Sequence, residues 1–452
     1  MRSILRASAA CALLAGATAC NDILQTEPVT SIPGDQLVTD AATATATLNG
    51  VYDGLQGGSY YGLSAYLVGD LAADNAIWTG TFQYLGEMQT NRMQADNAEI
   101  TGYWTALYLT INRANVVINA VPTVASIPQT TKDDLTGQAY FLRALSFHNL
   151  VKGWGAVPIP TKPVDGPAEA QAYTRAPVAE VYTQILKDLD SAQTLIKQTA
   201  STRYATVTAA RALRARVLFY RAGVTNSSAD YQAALDAANT VLAGRDTLTV
   251  PYANLFDAVG TNTAEDLFRV SFTATETNGI SNYYLRVGRG EAAPSQNLAD
   301  AYTATDARRA YNIRSTGVAA RPLDGGKFSA RPGTEHVHVI RLAEVVLIKA
   351  EALARLNRLP EAVAEYNKVR IRAGLATHTL GTQVTTQQQV IDQIELERRL
   401  ELAFEGDRWP DLVRLGKAVA VKGIQDRQGQ VLFPIPLRDT RTSPGLTQNP
   451  GY

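Results

Sequence analysis

The sequence predicts an all-α protein: tetratricopeptide-like helical repeats carrying a smaller, loop-rich lobe with short strands. Three observations predict it. Apolar residues recur at steps of three and four through 99–243 and again through 339–416, the period of one helix face. In the second stretch, Ala350-Glu351-Ala352-Leu353 is followed by Pro360-Glu361-Ala362, a helix–turn–helix spacing whose small alanines let two helices approach closely. Between the stretches, residues 250–329 change character. Pro, Gly, Asn and Thr replace the periodic pattern, with only short apolar runs such as Leu267-Phe268-Arg269-Val270-Ser271-Phe272.

The N-terminus carries targeting information. Arg2 and Arg6 precede an apolar stretch from Ala7 to Ala19, too short to span a bilayer, so residues 1–19 are expected to be a cleaved signal peptide. Small residues Ala17-Thr18-Ala19 before Cys20 suit a lipoprotein peptidase, which predicts Cys20 as the lipidated first residue of the mature chain. Two or three acyl chains there would anchor the protein stably, which a single chain would not. Residues 20–35, with Pro28 and Pro33, read as an extended tether, and 36–452 as a single domain.

Within that domain, 36–57 is Ala/Thr-rich and helix-permissive. Gly54 to Gly62 reads as a flexible turn bearing Tyr60 and Tyr61. Leu63 to Gln94 lacks a clean helical period and reads as irregular, so 58–98 and 250–329 are the two parts of the loop-rich lobe. Helices are expected over 99–120, 131–152, 179–196, 205–223 and 231–243. Gly153-Trp154-Gly155 stops the second, and Pro158 and Pro160 impose an extended segment after it. Further helices are expected over 339–356, 360–373, 387–404 and 408–415, the first preceded by His336 and His338 alternating as in a strand.

Composition removes several functions. The chain has two cysteines, and Cys11 leaves with the signal peptide, so no disulfide can form within the mature chain. Stability must rest on a large core, which this length can supply. Lys+Arg and Asp+Glu are both 42, without a basic run, which argues against nucleic acid as a partner. No nucleophile elbow, phosphate-binding loop, metalloprotease helix or glycine-rich dinucleotide turn occurs, and no cofactor is implied. His336 and His338 lack further ligands for a stable metal site, so no metal is expected. The run Arg341, Glu344, Glu351, Arg398, Glu401, Glu405 and Arg408 could suggest acid–base catalysis. An arginine lies three or four residues from each carboxylate, however, and the run reads as a structural salt-bridge network. Trp104 and Trp409 read as core residues.

Three C-terminal blocks, 336–375, 394–415 (IELERRLELAFEGDRWPDLVRL) and 433–452 (FPIPLRDTRTSPGLTQNPGY), resemble the SusD/RagB family in content and order. So do Cys20-Asn21-Asp22, Trp104 to Tyr108 with Ile111, Ala114 and Asn115, and Arg143 to Phe147 followed by Gly153 to Pro158. Asn254-Leu255-Phe256, Glu265 to Phe272, and Asp306 with Arg308 and Arg309 continue the likeness. The resemblance implies an outer-membrane lipoprotein facing the cell exterior, which binds an oligosaccharide or other nutrient. It would deliver that nutrient to a SusC-like TonB-dependent transporter as its lid, without catalysis. A hydrolase of surface polymers and a peptide- or protein-binding repeat module are the alternatives.

Sugar recognition needs an aromatic surface for the C–H face of the ring beside side chains that bond hydroxyls. Trp78 lies in an irregular segment with Asp74, Asn75, Tyr84 and Arg92, and is the expected platform. Tyr283, Tyr284 and Arg286 lie where the resemblance implies a second set of ligand contacts. Tyr60 and Tyr61 are lesser candidates.

Overall fold

A computed structural model describes residues 37–256 and 263–452. The expected signal peptide, the expected lipidation site Cys20 and the expected tether lie outside the described residues. The main helices are α1 (Ala41–Gln56), α2 (Ala98–Ala120), α3 (Gln129–Trp154), α4 (Val178–Leu195), α5 (Val207–Thr225) and α6 (Ser228–Leu242). After the insertion come α7 (Leu342–Arg355), α8 (Leu359–Arg372), α9 (Gln387–Glu401) and α10 (Arg408–Arg414). Each helix from α1 to α6 packs chiefly on its chain neighbour. α7 then lies against α6 although the insertion separates them in sequence, and α8 and α9 close over α7. The result is the helix-pair array expected from the 3.6-residue period.

Local chemistry sets the helix ends. The Asn97 side chain accepts from the Ile100 backbone N–H at 3.2 Å, and Thr206 caps α5 by accepting from Ala209 at 3.0 Å. Thr386 and Gln389 form a reciprocal capping box at α9. α5 ends on Asn226 at φ 51°, a left-handed residue that reverses the chain directly into the Ser227 cap of α6. Asn357, at φ 59°, makes the same reversal between α7 and α8. Ala350, Ala352, Ala354 and Ala362 are fully buried, so the small residues sit at the helix contact as the spacing predicts. Trp104 and Trp409 are core residues. The C-terminus docks on the body: the Asn449 amide donates to the Trp154 and Phe433 carbonyls at 3.0 and 2.7 Å.

The lobe is more regular than the sequence suggests. Residues 63–94 contain helices Ser64–Leu71 and Gln83–Gln89 as well as strand β1 (Ala76–Trp78). Every residue of the first helix except Ala65 is buried, so no polar face marks its period. The insertion contributes β2 (Asp266–Val270), β3 (Ala292–Pro294), β4 (Ile313–Ser315) and β5 (Leu323–Gly325), and β6 (Val337–Arg341) leads into α7. Antiparallel pairing of β1 with β3 aligns Trp78 with Ala292, joining the two segments predicted to form the lobe. Pairing of β2 with β6 ties the insertion to the scaffold.

The charged run is structural, with partners that differ from the expected ones. Among the described residues most of its ion pairs join different elements. Arg216 of α5 holds Glu344, Arg414 holds Glu351 at 2.7 Å, and Arg398 holds Asp411 at 3.0 Å. Glu401 is fully buried among Arg341 (2.5 Å), Arg308 (3.5 Å) and Arg372. Only Glu351–Arg355, at 3.4 Å, is the i,i+4 pair the sequence suggests. His338 spends its ring nitrogens on Asp266 and the Leu255 carbonyl, both at 2.6 Å, and His336 Nδ1 accepts the Phe272 N–H at 3.0 Å.

Candidate functional site

Strand pairing between β1 and β3 brings aromatic side chains from both segments to one place. Phe82 and Tyr84 stack with ring centroids 5.2 Å apart and planes 18° from parallel. Tyr283 tilts against Phe82 at 6.3 Å. The Arg289 guanidinium lies over the Phe82 ring at 4.0 Å, a cation–π contact. Phe82, Tyr84 and Tyr283 are half-buried at the edge of the core, so each keeps a solvent-facing part.

Glu291 fixes this cluster. Its Oε2 accepts from the backbone N–H of Thr81 (2.8 Å) and Phe82 (3.0 Å), which pins the turn after β1. Burial alone would raise its pKa. The Phe82 and Thr81 N–H groups outweigh that and hold it below the usual carboxylate range, with a smaller contribution from the Trp78 indole. Burial pushes the Tyr84 phenol up, and the neighbouring Tyr283 and Glu99 add to it. Glu99 reaches Ser64 Oγ at 2.5 Å, and burial raises its pKa. Phenols kept neutral in this way can both donate and accept hydrogen bonds.

The segment leading to Tyr283 borders a concavity of about 630 Å³, lined in part by Asn278, Ser281, Asn282 and Arg331. Asn282 connects the two. Its carbonyl accepts from Arg289 N (2.7 Å) and Gly290 N (3.2 Å), shaping the turn that carries Arg286 and Arg289.

The predicted residues divide into groups. Trp78, Tyr84 and Tyr283 belong to the cluster or border it. Trp78 is half-buried with its six-membered ring against Gly86, where an added Cβ would lie 2.8 Å from it. Arg286 is exposed on the same turn as Arg289, while Arg92 is exposed just beyond the helix Gln83–Gln89. Three candidates are corrected. Asn75 is buried, with its amide on Asp70 (2.7 Å) and its oxygen on Arg399 (3.0 Å). The Asp74 carboxylate is held by Arg408 at 2.7 Å and Arg399 at 3.1 Å. Tyr284 is buried edge-on to Phe404 at 5.1 Å. All three brace the lobe from below: Asn75 and Tyr284 are buried, and the Asp74 carboxylate is taken by two arginines. Tyr60 and Tyr61 are also buried, stacked at 4.6 Å with both hydroxyls accepting from Asn149.

Two residues of the cluster, Phe82 and Arg289, were not expected. Phe82 carries a signal, since it sits two residues from Tyr84 in the stretch already singled out. Arg289 carries none, because only the fold lays it on Phe82.

The comparisons fit this architecture. The SusD family profile matches residues 318–431, and a second profile, described as starch-binding associating with outer membrane, matches 26–219. The chain belongs to the SusD family. It is 27% identical to the SusD-like protein P2 of Formosa agariphila, over 97% of this chain and 98% of that one. A SusD superfamily protein from Bacteroides vulgatus superposes with a TM-score of 0.81 at 20% identity, covering 91% of this chain and 99% of that one. A laminarin-binding SusD-like protein superposes with a TM-score of 0.78 at 24% identity, covering 92% and 100%.

Proposed function

We propose that this protein binds an oligosaccharide at the Phe82–Tyr84–Tyr283 cluster and delivers it to a TonB-dependent transporter of the outer membrane, acting as its lid. The observation that carries the reading is the convergence of those three rings and Arg289 from segments about two hundred residues apart in the chain. Sugar hydroxyls exchange water bonds for protein bonds at little net gain, so affinity must come from stacking on a fixed apolar surface. The cluster supplies that surface, with phenols and a guanidinium at its edge. Trp78 is assigned a share of the platform, supported from behind by Gly86. The family's outer-membrane description and the laminarin-binding relative support the ligand class and the compartment. Binding without catalysis is the reading that fits, since the carboxylates of the charged run are each engaged by arginine or lysine.

The test is calorimetry against a glycan panel. Tyr283→Ala removes a half-buried ring and is expected to weaken binding roughly ten- to a hundredfold, about 1–3 kcal/mol by side-chain burial, with circular dichroism unchanged. A variant that binds every glycan as tightly as wild type would show that the cluster is not the platform.

The anchor and the partner are tested in membranes. Radioactive palmitate is expected to label wild type and not Cys20→Ala, and a TonB-dependent barrel is expected to co-purify from detergent-solubilised membranes. Equal labelling rejects the anchor, and recovery of no barrel rejects the lid. Turnover of a glycan by the purified protein would instead favour the hydrolase reading.

A further inference from the structure

The charge around the cluster is one-sided. Four guanidinium groups surround the turn 285–290: Arg286 and Arg289 on it, and Arg321 and Arg331 bonded to its backbone. Arg321 is spent on structure. Its nitrogens donate to Gly290 O (2.5 Å), Ala292 O (2.7 Å), Tyr284 O (2.9 Å), Thr79 Oγ1 (3.0 Å) and Asp324 Oδ1 (3.1 Å). The other three are different. Arg286 and Arg331 are exposed, and the Arg289 side chain is 44% exposed over the Phe82 ring. Arg331 uses one nitrogen on the Val287 carbonyl and, with Ser281 and Asn282, lines the concavity.

Among the described residues the carboxylates bonded to this turn or to its arginines are two, and both are engaged. Glu291 accepts the Thr81 and Phe82 N–H groups and lies 3.4 Å from Arg289. Asp324 accepts Arg286 N and Arg321 Nε, each at 3.1 Å. Glu335 is buried behind, accepting from the backbone of Ser329 and Ala330. Glu99 lies under the tyrosines on Ser64. Positive charge therefore exceeds negative at the site's rim, although the whole chain is neutral with 42 of each sign.

We propose that the saccharide taken by this lobe is anionic, carrying carboxylate or sulfate groups, and that Arg286, Arg289 and Arg331 read that charge while the aromatic rings hold the sugar face. The inference rests on the reading of the cluster as the saccharide site. A guanidinium presents paired N–H donors whose spacing matches two oxygens of a carboxylate or sulfate, and charge-assisted bonds are roughly twice as strong as neutral ones. Arg289 is already oriented by Phe82 and Glu291, so it forms such a bond with little loss of side-chain freedom. A neutral glycan would leave this excess charge with nothing but water.

The test titrates the full chain with neutral, uronate-containing and sulfated oligosaccharides of matched length, at low and high sodium chloride. Binding is expected only or chiefly for the charged members, falling several-fold between about 50 and 500 mM salt as exposed charges are screened. The uronate and sulfate arms show which anion is read. Arg286→Ala combined with Arg331→Ala is expected to weaken that binding about tenfold or more, with Arg286→Lys intermediate and circular dichroism unchanged. Neutral members binding as tightly as charged ones, with no effect of salt or of the arginine variants, would overturn the charge reading. The saccharide site would then still stand. If no member binds, and Tyr283→Ala changes nothing, the site itself is wrong and the charge reading falls with it.

Discussion

Replacing Glu401 by alanine is expected to cost about 3–5 kcal/mol, the range for stripping one partner from a buried ion cluster. That is a large part of a typical folding free energy. Glu401 is fully buried and faces Arg341, Arg308 and Arg372, so its loss leaves three guanidinium groups with reduced compensation in a site closed to water. Glu397, Glu405, Glu265 and Asp306 remain, but Glu397 and Glu405 are shared with Arg370 and Lys327, so five cations would face four carboxylates. Burial on its own would raise the Glu401 pKa. Arg372, Arg341 and Arg308 outweigh it and hold the group far below the usual range. A carboxylate depressed in the folded state stabilises above its unfolded pKa and loses that contribution as pH falls. Wild type should therefore lose stability progressively below about pH 4.5, the ordinary value for this group, and Glu401→Gln should flatten part of that fall. Urea unfolding followed by circular dichroism checks both. An alanine variant within about 1 kcal/mol of wild type would refute buried-pair energetics at this site.

The second large effect is expected at Gly69. A Cβ there would lie 1.8 Å from the Gly406 carbonyl oxygen and 2.5 Å from its carbon. Neither atom can swing away, because both are backbone. Gly406 itself sits at φ 82°, and a Cβ on it would meet the Ala65 oxygen at 2.1 Å. Gly69→Ala must push apart the helix Ser64–Leu71 and the loop before α10, at a cost of about 1–3 kcal/mol or more for overpacking. The same shift would disturb Asp70, whose carboxylate accepts from the N–H groups of Phe404 (3.3 Å) and Gly406 (3.1 Å). Burial raises the Asp70 pKa to about 7, partly offset by Asn75 and those N–H groups. A thermal midpoint unchanged from wild type would show that the contact is looser than it stands here.

The helical scaffold was legible in the sequence because, apart from the largely buried α3 and α7, its helices from α2 to α9 keep a polar face. Their apolar period therefore survives in the residue order. The helix Ser64–Leu71 was not legible for the opposite reason: burial on nearly all sides erases the period. The charged run was readable as structural, but its partners were not. Arg216–Glu344 and Arg414–Glu351 join residues 128 and 63 positions apart. The site was half legible. Trp78, Tyr84 and Tyr283 are aromatic residues in stretches whose sequence lacks a helical period, and residue type and context pointed to them. Asn75 and Tyr284 have the same chemistry, yet depth below the surface decides what they touch, and depth is a property of the fold. Asp74 shows the same limit, since Arg399 and Arg408, which occupy it, come from the far end of the chain.

The joining of β1 to β3 has a consequence for how new specificities can arise. The turns 79–82 and 285–290 form the rim of the proposed site, while the residues bracing it from below, Asp74, Asn75 and Tyr284, face the scaffold. Surface turns on a rigid frame tolerate substitution and insertion far better than the elements they connect. The lobe is in this sense a replaceable cassette. Its outward turns can vary while the inward side keeps the same mounting, so surface and architecture are free to change at separate rates.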